Sequence, residues 1–90
     1  PYPGPAERKA MWQKAFPAET PTAGLDFDRL ARINVSGGHI AVIALNAAFQ
    51  AAHSGTPVTM PMILNAARIE LRKLARPINE NDLRWQGVLA

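Results

Sequence analysis

Val35-Ser36-Gly37-Gly38-His39-Ile40, continuing through Ala41-Val42-Ile43-Ala44-Leu45-Asn46-Ala47-Ala48-Phe49-Gln50-Ala51-Ala52-His53, is the stretch on which the fold turns. Ser36 is a helix-capping residue type, and its hydroxyl can accept from an amide in the first turn. Val35 before the cap and Ile40 after it have the spacing of a hydrophobic staple. The spacing predicts a helix from about Gly37 to His53, ended by Ser54-Gly55. After the glycine pair its polar residues are His39, Asn46, Gln50 and His53. These fall at offsets of 7, 11 and 14 from the first, on one narrow stripe. So thin a polar stripe predicts a central, buried helix. Gly37 and Gly38 at its start have two readings. They permit close packing by a neighbouring helix, or they let a ligand approach the free amides and the positive end of the helix dipole.

The same punctuation recurs along the chain. Asp26 caps a short helix of about Phe27–Ile33, with Leu25 and Leu30 as its staple. Thr59 caps a helix of about Met60–Ala75, with Val58 and Ile63 as its staple and Pro61 in the tolerant first turn. Asn79 caps a last short helix, where Ile78 and Leu83 repeat the spacing. An opening helix of about Pro5–Phe16 begins with a proline and is stopped by Pro17. Met11, Trp12, Ala15 and Phe16 form its apolar face. Residues 19–24 read as a loop, and the tail from Trp85 to Ala90 shows no pattern. No alternating run reaches the length of a persuasive strand. The expectation is an all-α, compact bundle of four to five helices.

The chain has 90 residues, which suffices for one small domain. Its 48% hydrophobic content supports a core. It contains no cysteine, which excludes disulfide frameworks and thiolate metal sites. No apolar run is long enough to span a bilayer, so no membrane association is expected. The net charge of +3 is mild for a nucleic-acid binder. The start at Pro1, without methionine, reads as a piece cut from a longer protein.

Several chemistries are missing their residues. No glycine precedes a lysine, so a phosphate-binding loop of the G-x-x-x-x-G-K-[ST] type is absent. His39 and His53 lie about 21 Å apart along one helix, too far to share a metal. No serine sits in a strand–turn–helix elbow. No catalytic or metal-ligating residue is therefore assigned. Arg68, Arg72 and Arg76 recur every fourth residue as a basic row. Its plain reading is a solvated face, and its sharper reading is an interface with acidic groups on a partner. His39 caps its own helix or meets a ligand, and Asn46 and Gln50 read as interhelical or rim residues. Trp12 and Phe16 are core candidates. Trp85 is either core or a docking residue.

Taken in order, these parts resemble the C-terminal small domain, or lid, of AAA+ ATPases. The resemblance runs from about Pro3 to Leu83 and rests on four parts. A proline-containing opening precedes a helix with an arginine and an apolar pair, here Pro3, Pro5, Arg8, Met11 and Trp12. A short acidic helix follows, here Leu25-Asp26-Phe27-Asp28-Arg29-Leu30-Ala31. A Ser-Gly-Gly start then opens an alanine-rich helix, here Ser36-Gly37-Gly38-His39-Ile40 and Ile43-Ala44-Leu45-Asn46-Ala47-Ala48. Val58-Thr59 leads into the last long helix. The wording of the third part is similar to ATPases linked to bacterial contractile injection systems.

The resemblance implies one lid domain over residues 1–90, with 1–4 a hinge remnant and 85–90 a tail. It implies that Gly37, Gly38, His39 and Ile40 lie beside ATP or ADP bound on a separate large domain, which would also hold magnesium. It implies a homo-oligomeric ring, in which the lid touches its own large domain and the neighbouring subunits. It implies a cytoplasmic parent that hydrolyses ATP to remodel a protein, while this piece alone, without Walker motifs or an arginine finger, is inactive. Two departures narrow the role. His39 stands where many members have an acid. Positions 40–43 are Ile-Ala-Val-Ile, where sensor-2 members carry an arginine. The implied contact is with adenosine rather than with phosphate. The alternative is a stand-alone helical interaction module with weak, basic nucleic-acid binding.

Overall fold

Helix starts fall where the capping residues put them. The computed structural model describes residues 2–85. In chain order its elements are α1 (Pro5–Ala15), β1 (Thr22–Ala23), α2 (Phe27–Leu30), α3 (Gly37–Ser54), β2 (Val58–Thr59), α4 (Met60–Lys73) and α5 (Glu80–Leu83). The Asp26 carboxylate accepts from the Arg29 amide at 3.1 Å. Ser36 Oγ accepts from the His39 amide at 3.3 Å, and Asn79 Oδ1 from the Asn81 amide at 3.0 Å. In every staple pair the second residue is buried: Leu30, Ile40, Ile63 and Leu83. Each staple thus seats the start of its helix on the core.

Thr59 departs from this pattern. It occupies the cap position of α4, but its side chain makes no capping bond. Its backbone is extended and pairs with Ala23 in a parallel ladder, Thr22 opposite Val58 and Ala23 opposite Thr59. The expectation of an all-α chain is therefore corrected to a mostly helical one with a two-residue parallel strand pair. The Val58 amide donates to the Pro21 carbonyl at 2.9 Å, which extends the same seam. The pair straps the 19–24 loop to the start of α4.

Two helix ends also differ from expectation. α2 ends at Leu30 rather than Ile33, and the chain continues in tight turns, Arg32 N–H to Arg29 O and Ile33 N–H to Leu30 O, both at 3.1 Å. α4 ends at Lys73 rather than Ala75. Ala75 adopts a left-handed conformation with φ of 55°. Its amide donates to Arg72 O at 3.0 Å, and the Arg76 amide to Leu71 O at 3.1 Å, the pair of bonds that closes a Schellman motif. Gly55, with φ of 69°, does the same for α3.

The core gathers around Trp12, Leu30, Ile43, Met60, Ile63 and Leu83. α3 and α4 make the most extensive helix–helix contact, with α1 and α2 packed to one side. The radius of gyration is 12.3 Å, against about 12 Å expected for a folded chain of this length. Trp85 packs half-buried against the core, so this residue is not part of a patternless tail. The remainder of that tail, 86–90, lies outside the described residues.

The largest correction concerns α3, which is not buried all round. Ile40, Ile43, Ala44, Ala47 and Ala51 face inward. Val42, Leu45 and Phe49 remain 39%, 53% and 64% exposed. The polar stripe is flanked by exposed apolar side chains, because among the described residues too few elements surround α3 to cover both its faces.

Candidate functional site

The start of α3 is built by one cap and one cross-helix contact. Ser36 Oγ lies 2.8 Å from His39 Nδ1 while also accepting from the His39 amide. When the hydroxyl donates its proton to Nδ1, the neutral ring carries its own N–H on Nε2, the nitrogen on the α4 side. Glu70 waits there, its Oε2 4.0 Å from His39 Nε2. Glu70 is a buried acid on the inner side of α4. The cap is therefore Ser36 and not His39, whose ring braces the capping hydroxyl on one side and faces this carboxylate on the other. The second contact has no local signature, because the two residues are 31 apart.

The two glycines have different surroundings. A Cβ on Gly37 would meet the Met11 thioether, at 3.3 Å from Sδ and 3.4 Å from Cε. Gly37 is thus a close-packing glycine between α3 and α1. A Cβ on Gly38 would meet only Ser36 Oγ, at 3.9 Å, and Gly38 is exposed. Nothing inside the fold requires glycine there. Among the described residues, the amides of Gly37 and Gly38 find no acceptor. Ile40 points into the core at 2% exposure, so it supports this corner from beneath.

The basic row does not act as a unit. Arg68 is hydrogen-bonded to Glu80, which ties α5 to α4. Arg72 is exposed. Arg76 lies past the end of α4, its guanidinium 5.2 Å above the Tyr2 ring, with Nη1 donating to the Tyr2 hydroxyl at 3.3 Å. The hydrogen bond from Arg68 is the main reason that the Glu80 carboxyl is held below its usual range, with the charges of Arg68, Arg72 and Arg84 adding to it. A lowered acid stabilises the fold at neutral pH, and that contribution is lost as pH falls through the lowered value. Amides of Glu80–Leu83 are therefore expected to lose exchange protection on acidification below the carboxylate range. The Arg68→Gln variant should show weaker protection at neutral pH and little further acid loss. Equal acid sensitivity in both proteins would contradict the link.

A wider groove lies elsewhere among the described residues. About 560 Å³ in volume, it runs along the C-terminal half of α3, with Leu45, Phe49 and Ala52 on one wall and Pro21, Pro57 and Val58 on the other. Leu45 is already eight residues from Gly37, or about 12 Å along the helix. The sequence reading missed this groove, because the strand pair that forms its far wall carries no pattern of its own. Residues 37–54 contain no Asp, Glu, Lys or Arg, so the exposed face of α3 is free of formal charge. Among the described residues no cluster of acids and histidines could hold a metal ion, and no helix is long and apolar enough to cross a membrane.

Searches against family models, curated proteins and solved structures returned no match to this chain.

Proposed function

We propose that this chain is the lid domain of an AAA+ ATPase, packing beside ATP or ADP held by a separate large domain and turning nucleotide state into motion of a ring. The observation that carries the reading is Gly38. It is bare and exposed, and among the described residues no contact requires it and the amides of Gly37 and Gly38 have no acceptor. Such a corner leaves room for a ligand to approach the free backbone amides closely.

The chemistry of the corner fits adenosine better than phosphate. Positions 40–43 supply no cation. The Glu70 carboxylate stands behind His39, 4.0 Å from its Nε2, and opposes an anion. Gly37, Gly38 and His39 would line the adenosine, with Ile40 as their support. The phosphates and magnesium fall to the large domain. Bound there, ATP supplies the hydrolysable phosphoanhydride.

The uncharged, exposed face of α3 supports the second half of the reading. A domain that leaves Leu45 and Phe49 in water is suited to packing on protein rather than on nucleic acid. We assign that face to its own large domain and to neighbouring subunits of a homo-oligomeric ring. The parent is proposed to act in the cytoplasm as a protein remodeller of the type linked to bacterial contractile injection systems. The nucleic-acid reading draws less support, since Arg68 and Arg76 are engaged within the chain.

The test is adenosine titration of the 90-residue chain, followed by amide NMR. Shifts are expected at Gly37, Gly38 and His39 at millimolar ligand, alike for adenosine and ADP, with none at Leu45 or Phe49. Gly38→Ala should leave the fold intact or stabilise it by about 0.5–1 kcal/mol, because alanine is the better helix former. Gly38→Leu should abolish the shifts. Shifts confined to other residues, or robust ATP hydrolysis by this chain alone, would overturn the reading.

A further inference from the structure

We propose that residues 2–4 form a strap, held by Arg8 and Arg76, that fixes the path of this leading segment relative to the start of α3. Arg8 is 8% exposed, yet among the described residues it has no carboxylate partner. Its Nε donates to the Ala31 carbonyl at 2.7 Å. Its Nη1 donates to the Pro3 carbonyl at 2.7 Å and reaches Asn34 Oδ1 at 3.4 Å. A buried guanidinium without an acid carries a desolvation cost that only its hydrogen bonds offset. Its planar fork serves these acceptors from two nitrogens, Nε and Nη1, held in a rigid plane, whereas a lysine carries all its donors on one nitrogen at the end of a flexible stem. The acceptors lie on the strap, the end of α2, and the loop that leads two residues later into the Ser36 cap.

The other contacts close the strap. Arg76, turned back by the left-handed Ala75, covers the Tyr2 ring. The Gly4 amide donates to the Glu7 carboxylate at 2.9 Å, and the Gly4 carbonyl accepts from the Arg8 amide at 2.9 Å. Tyr2, Pro3 and Gly4 are thus each held by a named contact from α1 or from the end of α4. Pro3 cannot shift without disturbing the same guanidinium that holds Ala31 and Asn34. The functional meaning rests on the lid reading: the segment that would lead from the large domain moves as one body with the corner that would face the nucleotide. The strap itself needs no nucleotide.

Tyr2 is the one tyrosine of the chain, so a fluorotyrosine-labelled protein gives a single fluorine resonance. That resonance is expected to be displaced from the free-peptide position in the unsubstituted chain and to return toward it in Arg76→Gln. In Arg8→Lys, which keeps the charge, Tyr2 should be released as well. The His39 and Ile40 amides, which donate to Ser36 Oγ and Ser36 O, should then exchange at least about tenfold faster, one order of magnitude being the loss of a charge-assisted bond, with the helical circular dichroism retained. Should Arg8→Lys fail to fold, Arg76→Gln decides: faster exchange at the Gly4 and Arg8 amides supports the strap, and unchanged exchange there overturns it. A free-peptide resonance in the unsubstituted chain overturns it too, as does a folded Arg8→Lys with the His39 and Ile40 amides unchanged. None of these outcomes touches the adenosine titration, so either proposal can fall while the other stands.

Discussion

Trp12→Ala is expected to remove about 3–5 kcal/mol of stability, the range for truncating a fully buried tryptophan. α1 has little else to hold it. Of its eleven residues only Arg8 and Trp12 are buried. An isolated helix of this length is marginal in water, so α1 persists through tertiary packing. Trp12 is fully buried and reaches the centre where α1, α2 and α3 meet. A domain of this size has a total stability of about 5–13 kcal/mol. The substitution should therefore lower the melting temperature by roughly 15–30 °C. Hydrogen exchange should show α1 losing protection before α3 and α4. Met11→Ala, one residue away but 37% exposed, should cost under about 1 kcal/mol. A loss below that value for Trp12→Ala would mean that α1 is held by something other than this side chain.

Much of the helical framework could be read from caps and staples, because both are local. Val35, Ser36 and Ile40 are neighbours in sequence, and the geometry that joins them involves no distant residue. The same holds for Leu25, Asp26 and Leu30, and for Ile78, Asn79 and Leu83. What stayed hidden needed partners far along the chain. The pairing of Thr22–Ala23 with Val58–Thr59 leaves no trace, since two residues cannot display an alternation. Leu74-Ala75-Arg76 carries no glycine to announce its left-handed turn, and only Pro77 signalled a stop. Arg8 reads as one polar residue of a polar helix, while its burial depends on carbonyls of Pro3 and Ala31.

The candidate site divides along the same line. The capping role of Ser36 was legible, but the difference between Gly37 and Gly38 was not. Identical residues side by side acquire different roles only once Met11 arrives from α1 to fill the space beside the first. The contact of His39 with Glu70 likewise depends on how α4 packs.

The face of α3 yields the second large effect. Ile43→Ala is expected to cost about 2–5 kcal/mol, since Ile43 is fully buried and its neighbours cannot close the cavity fully. Leu45→Ala, two residues on and pointing to the other side, should cost under about 1 kcal/mol in the chain alone. Hydropathy cannot distinguish the two positions, because both belong to one continuous apolar run. Packing does, through the inward set that includes Ile43 and Ala47 and the outward set of Val42, Leu45 and Phe49. Urea denaturation should show a lower midpoint for Ile43→Ala and almost none for Leu45→Ala, with the slope unchanged in both. In a ring-forming parent the order should reverse. Leu45→Ala together with Phe49→Ala would then weaken assembly, measured by sedimentation, more than Leu45→Ala alone weakens folding. A Leu45→Ala chain as destabilised as Ile43→Ala would show that the chain covers this face by itself, and the docking assignment would fall.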